Sequence, residues 1–164
     1  MNNDRFKIRC WDSKNKEMYY MRDSNDDFKS LPNISIHSIG YKDKKISLFI
    51  IKKAEDEVFT YFSCCHDDLT LMQCTGLKDI DNKDIYEGDV LLYNSPISIS
   101  NNSKLVVKYG FYECIDLLDD IVDGFGWYMN SMENNNINKL FDTVDYNEND
   151  IGYCHKIIGN IYES

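Results

Sequence analysis

Apolar and polar residues alternate with a period of two along most of this chain, the repeat of half-buried β-strands. In RFKIRCWD, Phe6, Ile8 and Cys10 fall on one face and Lys7, Arg9 and Trp11 on the other. The polar run DSKNK then turns the chain and EMYYM returns, so residues 5–21 are expected to form a hairpin. KKISLFIIK and EVFTYFSCC form a second expected hairpin about Ala54–Asp56, and SLPNISIHSIGY between the two carries a shorter strand. Further on, GDVLLYNS, SKLVVKYGFYECIDLL, GFGWYMNSM and HKIIGNIYE read as strands joined by Gly, Asn and Asp turns. Twelve Tyr and eight Phe, with many Ile and Val, favour sheet throughout. The expected fold class is all-β with little helix: an N-terminal β-hairpin subdomain followed by a small, strongly bent C-terminal barrel. A shift in composition near residue 70 divides residues 1–70 from 71–164. SPISISNNS (95–103) reads as a loop; 133–153, polar and Asn-rich, is an insertion expected to be the most mobile part, with one short helix around Asn138–Val144.

The densest turn chemistry lies in LMQCTGLKDIDNKDIYEGDVLLY, residues 71–93. Asp79–Asn82 can bond its own backbone, and Asn82 tolerates positive φ. Gly76 fits an earlier bend, while Ile85 and Tyr86 supply apolar anchors. Gly88 marks a tight bend or close backbone crossing that excludes a Cβ. Asp89, at the mouth of the next strand, is placed to accept backbone amide hydrogen bonds. These residues read as the corner of a scaffold.

Three segments carry a resemblance to the YopX family, proteins of phages and prophages of low-GC Gram-positive bacteria. KIRCWDSKNKEMYY is similar to the family's N-terminal aromatic-Asp hairpin, here Trp11 and Asp12. LMQCTGLKDIDNKDIYEGDV resembles the central signature, with Gly76, Asn82, Tyr86, Gly88 and Asp89. IIGNIYES is similar to the terminal motif, with Gly159, Asn160 and Tyr162. Two departures stand out: Asp81-Asn82 replaces the family's Asn-Gly or Asp-Gly, and Cys74 stands where an aromatic is common. Asn is the best non-Gly residue for a left-handed position, so the turn is expected to survive. The resemblance implies an all-β fold with an SH3-like barrel and an N-terminal β subdomain for self-association, hence a homo-oligomer. It implies no established biochemical activity and leaves segments 22–63 and 94–153 unmatched.

The formal charge of −10 weighs against direct nucleic-acid binding, which draws on clustered Lys and Arg. The densest basic cluster, Lys42, Lys44 and Lys45, lies in a turn beside Asp43. MNNDRFKIRC carries no apolar signal segment and nothing approaches a membrane span, so a cytoplasmic protein of the bacterial host is expected, without a membrane partner. Its six cysteines are then expected to remain thiols. CCHDD, with Cys64 and His66, invites a zinc reading to which Cys154 and His155 could add, but no Cys-x-x-Cys is present. DYNENDIGYCHK fails as a calcium loop, because Asp150 and Lys156 stand where Gly and Glu are required. His37, His66 and His155 sit in no nucleophile motif, and Asp67-Asp68 and Asp119-Asp120 read as solvated loop pairs. No metal, cofactor or enzymatic activity is expected.

YGFYECIDLL and GFGWYMNSM interleave aromatics with glycine as single-strand stacking surfaces do, yet neither segment contains Lys or Arg. They are expected to supply barrel core and a protein-contact surface, with Asp119, Asp120, Asp123, Trp127 and Tyr128 as partner-contact residues. The leading functional expectation is a non-enzymatic accessory protein that binds and inhibits a host protein, such as a nucleic-acid-binding defence protein. The alternatives are a sponge for a nucleotide-type immune signal at subunit interfaces, and a structural or replication-associated phage protein.

Overall fold

The computed structural model describes residues 7–21, 34–42, 45–53, 59–65, 68–93, 103–115, 121–133, 137–138 and 155–163. Every regular element among the described residues is a β-strand. The chain divides into two compact units, Met1–Gln73 and Cys74–Ser164.

The N-terminal unit holds β1 (Ile8–Asp12), β2 (Glu17–Met21), β3 (Ile34–Lys42), β4 (Lys45–Lys53), β5 (Phe59–Cys65) and the start of β6 (Leu69–Lys78). β1 and β2 form the expected hairpin, with Arg9 opposite Tyr20 and Asp12 opposite Glu17. Its turn is tied by Asp12, whose Oδ1 accepts the amides of Lys14 at 3.0 Å and Asn15 at 2.9 Å. Such an Asx arrangement satisfies donors that the hairpin ladder leaves over. Buried Tyr19 lies with its hydroxyl 3.2 Å from Asp12 Oδ2 and 3.1 Å from Glu17 Oε2.

β3 is longer than the sequence expectation. It is nine residues long, pairs antiparallel with β4 up to Lys42–Lys45, and pairs parallel with β2 at Tyr20–Ser35 and Met21–Ile36. β4 and β5 pair antiparallel as anticipated. The hydrogen-bonded order is β5-β4-β3-β2-β1-β6 within this unit. Cys10, Tyr19, Ile36, Leu48, Ile50 and Leu69 pack as its core. Alternation predicts one polar face for β1, but Arg9, Trp11 and Asp12 are buried as well as Cys10. An arginine stem can lie along apolar surface, so its charge does not mark an exposed face.

The C-terminal unit takes the end of β6, β7 (Asp84–Tyr86), β8 (Asp89–Tyr93), β9 (Lys104–Ile115), β10 (Ile121–Ser131), β11 (Ile137–Asn138) and β12 (His155–Asn160). Ile85, Leu91, Leu105, Val107 and Met129 form its core, with Leu77, Trp127 and Ile157 packed against them. Its five-stranded sheet has the order β11-β10-β9-β8-β12. That sheet is open among the described residues: two-residue β11 and β12 stand at opposite ends, where a barrel needs them joined. The expected barrel closure is therefore not seen; the sequence pattern specifies strands and turns, whereas closure depends on a pairing between distant ends.

Of the 133–153 insertion, Glu133 and the Ile137–Asn138 pairing with β10 are described. The helix expected over Asn138–Val144 begins at a strand residue, and 139–144 lie outside the described residues. So does the expected mobility of this segment, and so do loop residues 95–102.

Candidate functional site

The central and terminal motifs meet in one corner of the C-terminal unit. Asp79, buried, accepts the amides of Asp81 and Lys83 on Oδ1, each at 2.9 Å, and that of Ile157 in β12 on Oδ2 at 3.1 Å. Asn82 closes this loop in the left-handed region at φ 62°. Gly76, at φ 81°, sits in a bulge where Cys74 opposes Tyr86 and Lys78 opposes Asp84. Four steps on one strand against two on the other require extra backbone to be bent out of the ladder.

Gly88 lies at the crossing of three strands' worth of chain. Its amide donates to Val107 at 2.9 Å and its carbonyl accepts from Ile161 at 3.0 Å. At φ 80°, a Cβ there would meet Tyr162 Cε2 at 2.9 Å and Asn160 Nδ2 at 3.3 Å. Buried Asp89 accepts the Tyr86 amide at 2.8 Å and Asn160 Nδ2 at 3.4 Å, while Asn160 Oδ1 takes the Tyr162 amide at 2.9 Å. Burial, and then the charge of Glu87, push the Tyr162 hydroxyl above its ordinary pKa. Gly159 shares none of this crowding, since nothing approaches its Cβ position; it follows the register shift at Ile157. The carboxylates of this corner hold backbone donors, which is structural chemistry.

A different arrangement appears on the long β9–β10 ribbon, where Gly110 faces Gly126 and Tyr109 faces Trp127. One face carries Leu105, Val107 and Met129, all buried, at its base. By strand alternation the same face continues outward through Tyr109, Phe111 and Glu113, opposite Trp127, Phe125 and Asp123. There it leaves the core: Phe111 is 84% exposed, Phe125 59%, Tyr109 47% and Ile121 75%. The rings form a zigzag, with centroids of Trp127 and Tyr109 at 4.9 Å, Tyr109 and Phe125 at 5.2 Å, and Phe125 and Phe111 at 4.7 Å. Tyr109 and Phe125, at 68°, pack edge-to-face, while the other two pairs are tilted at 56° and 54°. Exposed Glu113 and Asp123 face one another at the next step of the ladder. The reverse face holds Tyr128 against Tyr112 at 5.3 Å, with the Tyr112 ring lying over Gly124.

The structure thus separates the expected partner-contact residues. Trp127 and Asp123 share the exposed face, Tyr128 lies on the reverse, and Asp119 and Asp120 fall outside the described residues. Tyr109, Phe111, Phe125, Ile121 and Glu113 belong to the face and were missed. Their signal was the i, i+2 spacing within YGFYE and GFGWY. Trp11 and Asp12 lie in the β1–β2 hairpin of the other unit. Among the described residues no three His, Cys, Asp or Glu side chains converge to hold a metal. The side chains of Cys64, His66 and Cys154 lie outside the described residues, and His155 is buried in β12. No helix among the described residues is long and apolar enough to cross a membrane.

Comparison with curated proteins returns no match. Among solved structures, the crystal structure of protein EF1440 from Enterococcus faecalis matches with 22% identity and a TM-score of 0.45, covering 96% of this chain and 93% of that one. The family model for YopX protein matches residues 7–164, from the first described strand through the corner motifs to the C-terminus. The chain belongs to the YopX family.

Proposed function

We propose that this protein is a non-enzymatic phage or prophage accessory factor that binds a host protein and inhibits it in the bacterial cytoplasm. The observation that carries the reading is the β9–β10 face, where an apolar stripe runs out of the core into solvent beside two carboxylates. Contiguous exposed aromatics are a hallmark of protein interaction sites, and Tyr and Trp dominate interface energetics. The net charge of −10 favours a target with a basic surface, such as the nucleic-acid-binding face of a defence protein. A non-enzymatic role suits the corner, whose buried Asp79 and Asp89 hold backbone amides. For the scaffold we propose self-association through the N-terminal unit and an SH3-like bend of the C-terminal sheet. Facing Gly110 and Gly126 favour such a bend, because a strand pair without side chains resists coiling least.

Affinity capture from a bacterial lysate tests the reading. A stoichiometric partner with a basic groove is expected, and adding the purified chain should lower that partner's nucleic-acid binding. Capture of no such partner, together with unaltered phage fitness on defence-bearing hosts after deletion, would count decisively against it.

A further inference from the structure

We infer that the exposed β9–β10 face docks an extended, arginine-bearing segment of a partner protein, a proposal that rests on the host-binding reading and specifies its surface. Charge complementarity identifies the occupant. Between Lys108 and Lys139 the sequence contains no Lys, Arg or His, yet it carries Glu113, Asp116, Asp119, Asp120, Asp123 and Glu133. On the face itself Glu113 and Asp123 sit directly opposite one another, and every other side chain that alternation places there is uncharged. Like charges facing across a ladder destabilise it, and a cation seated between them relieves that repulsion.

The neighbouring rings narrow the class. Phe111 and Phe125 offer π-surface in the row next to the carboxylates, with Tyr109 in the row beyond, and a guanidinium can lie on an aromatic ring while donating to carboxylate oxygens. An ammonium makes the charge contact but lacks the planar stacking surface. A single-stranded nucleic acid would also stack on such rings, but its phosphates would be repelled by Glu113 and Asp123. Successive rows of the face are two residues apart, roughly 7 Å along the strand, which matches the spacing of alternate side chains in an extended peptide. Such a peptide can place arginine over the Glu113–Asp123 row and a second side chain over Phe111 and Phe125.

Nuclear magnetic resonance titration of the full chain with a decapeptide alternating arginine and threonine tests this, with lysine–threonine and glutamate–threonine peptides as comparisons. The arginine peptide should shift resonances of residues 109–113 and 121–127 most, with weaker binding by the lysine peptide and none by the glutamate peptide. Phe111→Ser should lower affinity about tenfold, the scale of a truncated aromatic anchor. Glu113→Gln with Asp123→Asn should weaken binding and flatten its salt dependence. Equal binding by Phe111→Ser, shifts spread over other acidic surfaces, or no binding at all would overturn the proposal. Shifts at these residues that depend on protein concentration without peptide would also overturn it, assigning the face to a second copy. If a partner captured from lysate binds Phe111→Ser as tightly as wild type, this surface is wrong while the host-binding reading stands. If no such partner exists but the arginine peptide binds here, the surface stands and that reading fails.

Discussion

At Gly88 two constraints coincide: a φ of 80° and side chains of Tyr162 and Asn160 where a Cβ would stand. Gly88→Ala is expected to destabilise the fold by about 2 kcal/mol or more, read from urea unfolding, because it meets both strain and overlap. Gly159→Ala is the control, with open space around its Cβ position, and should cost less than about 1 kcal/mol. Asn82 already stands at φ 62°, so Asn82→Gly should change stability by less than about 1 kcal/mol, whereas a β-branched residue there should be markedly destabilising. Asp89→Ala removes the acceptor for the Tyr86 amide and the partner of Asn160 in a buried place. It should cost about 2–4 kcal/mol in the same measurement, with Asp89→Asn less damaging because an acceptor oxygen remains. The corner residues themselves were legible in the sequence, since Gly, Asn and Asp declare their conformational needs locally. That Asp79 reaches across to the amide of Ile157, seventy-eight residues away, was not legible.

The β9–β10 ribbon shows how one strand pair serves two purposes. Its base builds the core and its outer part is exposed, although both share one alternating pattern. Met129→Ala should therefore cost about 2–5 kcal/mol, the range for emptying a buried apolar site. Phe111→Ser, on the same face, should change unfolding free energy by no more than about 0.5 kcal/mol while lowering partner affinity about tenfold. On the reverse face Gly124→Ala would collide with the Tyr112 ring and should be destabilising. In a double-mutant cycle, Tyr112→Ala should absorb most of that cost, since the three atoms nearest the new methyl all belong to that ring and its hydroxyl. The element was readable from period-two aromatics, but the point where its face leaves the core was not. Among the described residues β8 pairs with β9 from Lys104 to Val106, and the exposed rings lie beyond that pairing.

For the whole molecule, burial raises the hydroxyl pKa of Tyr19, with the charge of Asp12 and the hydrogen bond to Glu17 adding to it, and burial likewise raises that of Tyr162. The folded chain holds these two protons more tightly than the unfolded chain, which releases them near pH 10.0. Above that pH the unfolded state binds fewer protons, so stability falls as pH rises and is fully present below it. Urea midpoints measured from pH 8 to 11 should be flat to about pH 9 and then decline, and Tyr19→Phe with Tyr162→Phe should flatten the decline.

The sequence by itself determined the all-β class and most of the strands, the turn residues of the 71–93 corner, the family, and the acidic charge balance. Each of these is local: alternation, φ tolerance and charge are properties of neighbouring residues. Only the tertiary structure decided that β3 pairs parallel with β2 and that the C-terminal sheet is open among the described residues. It alone joined the central and terminal motifs at Gly88 and Asp89. These depend on which distant strand arrives beside a given one, a choice made by burial and backbone pairing across the whole chain. The aromatic stripe, expected to supply core and contact surface together, divides in three dimensions into Trp127 packed against the core and Tyr109, Phe111 and Phe125 exposed beyond it.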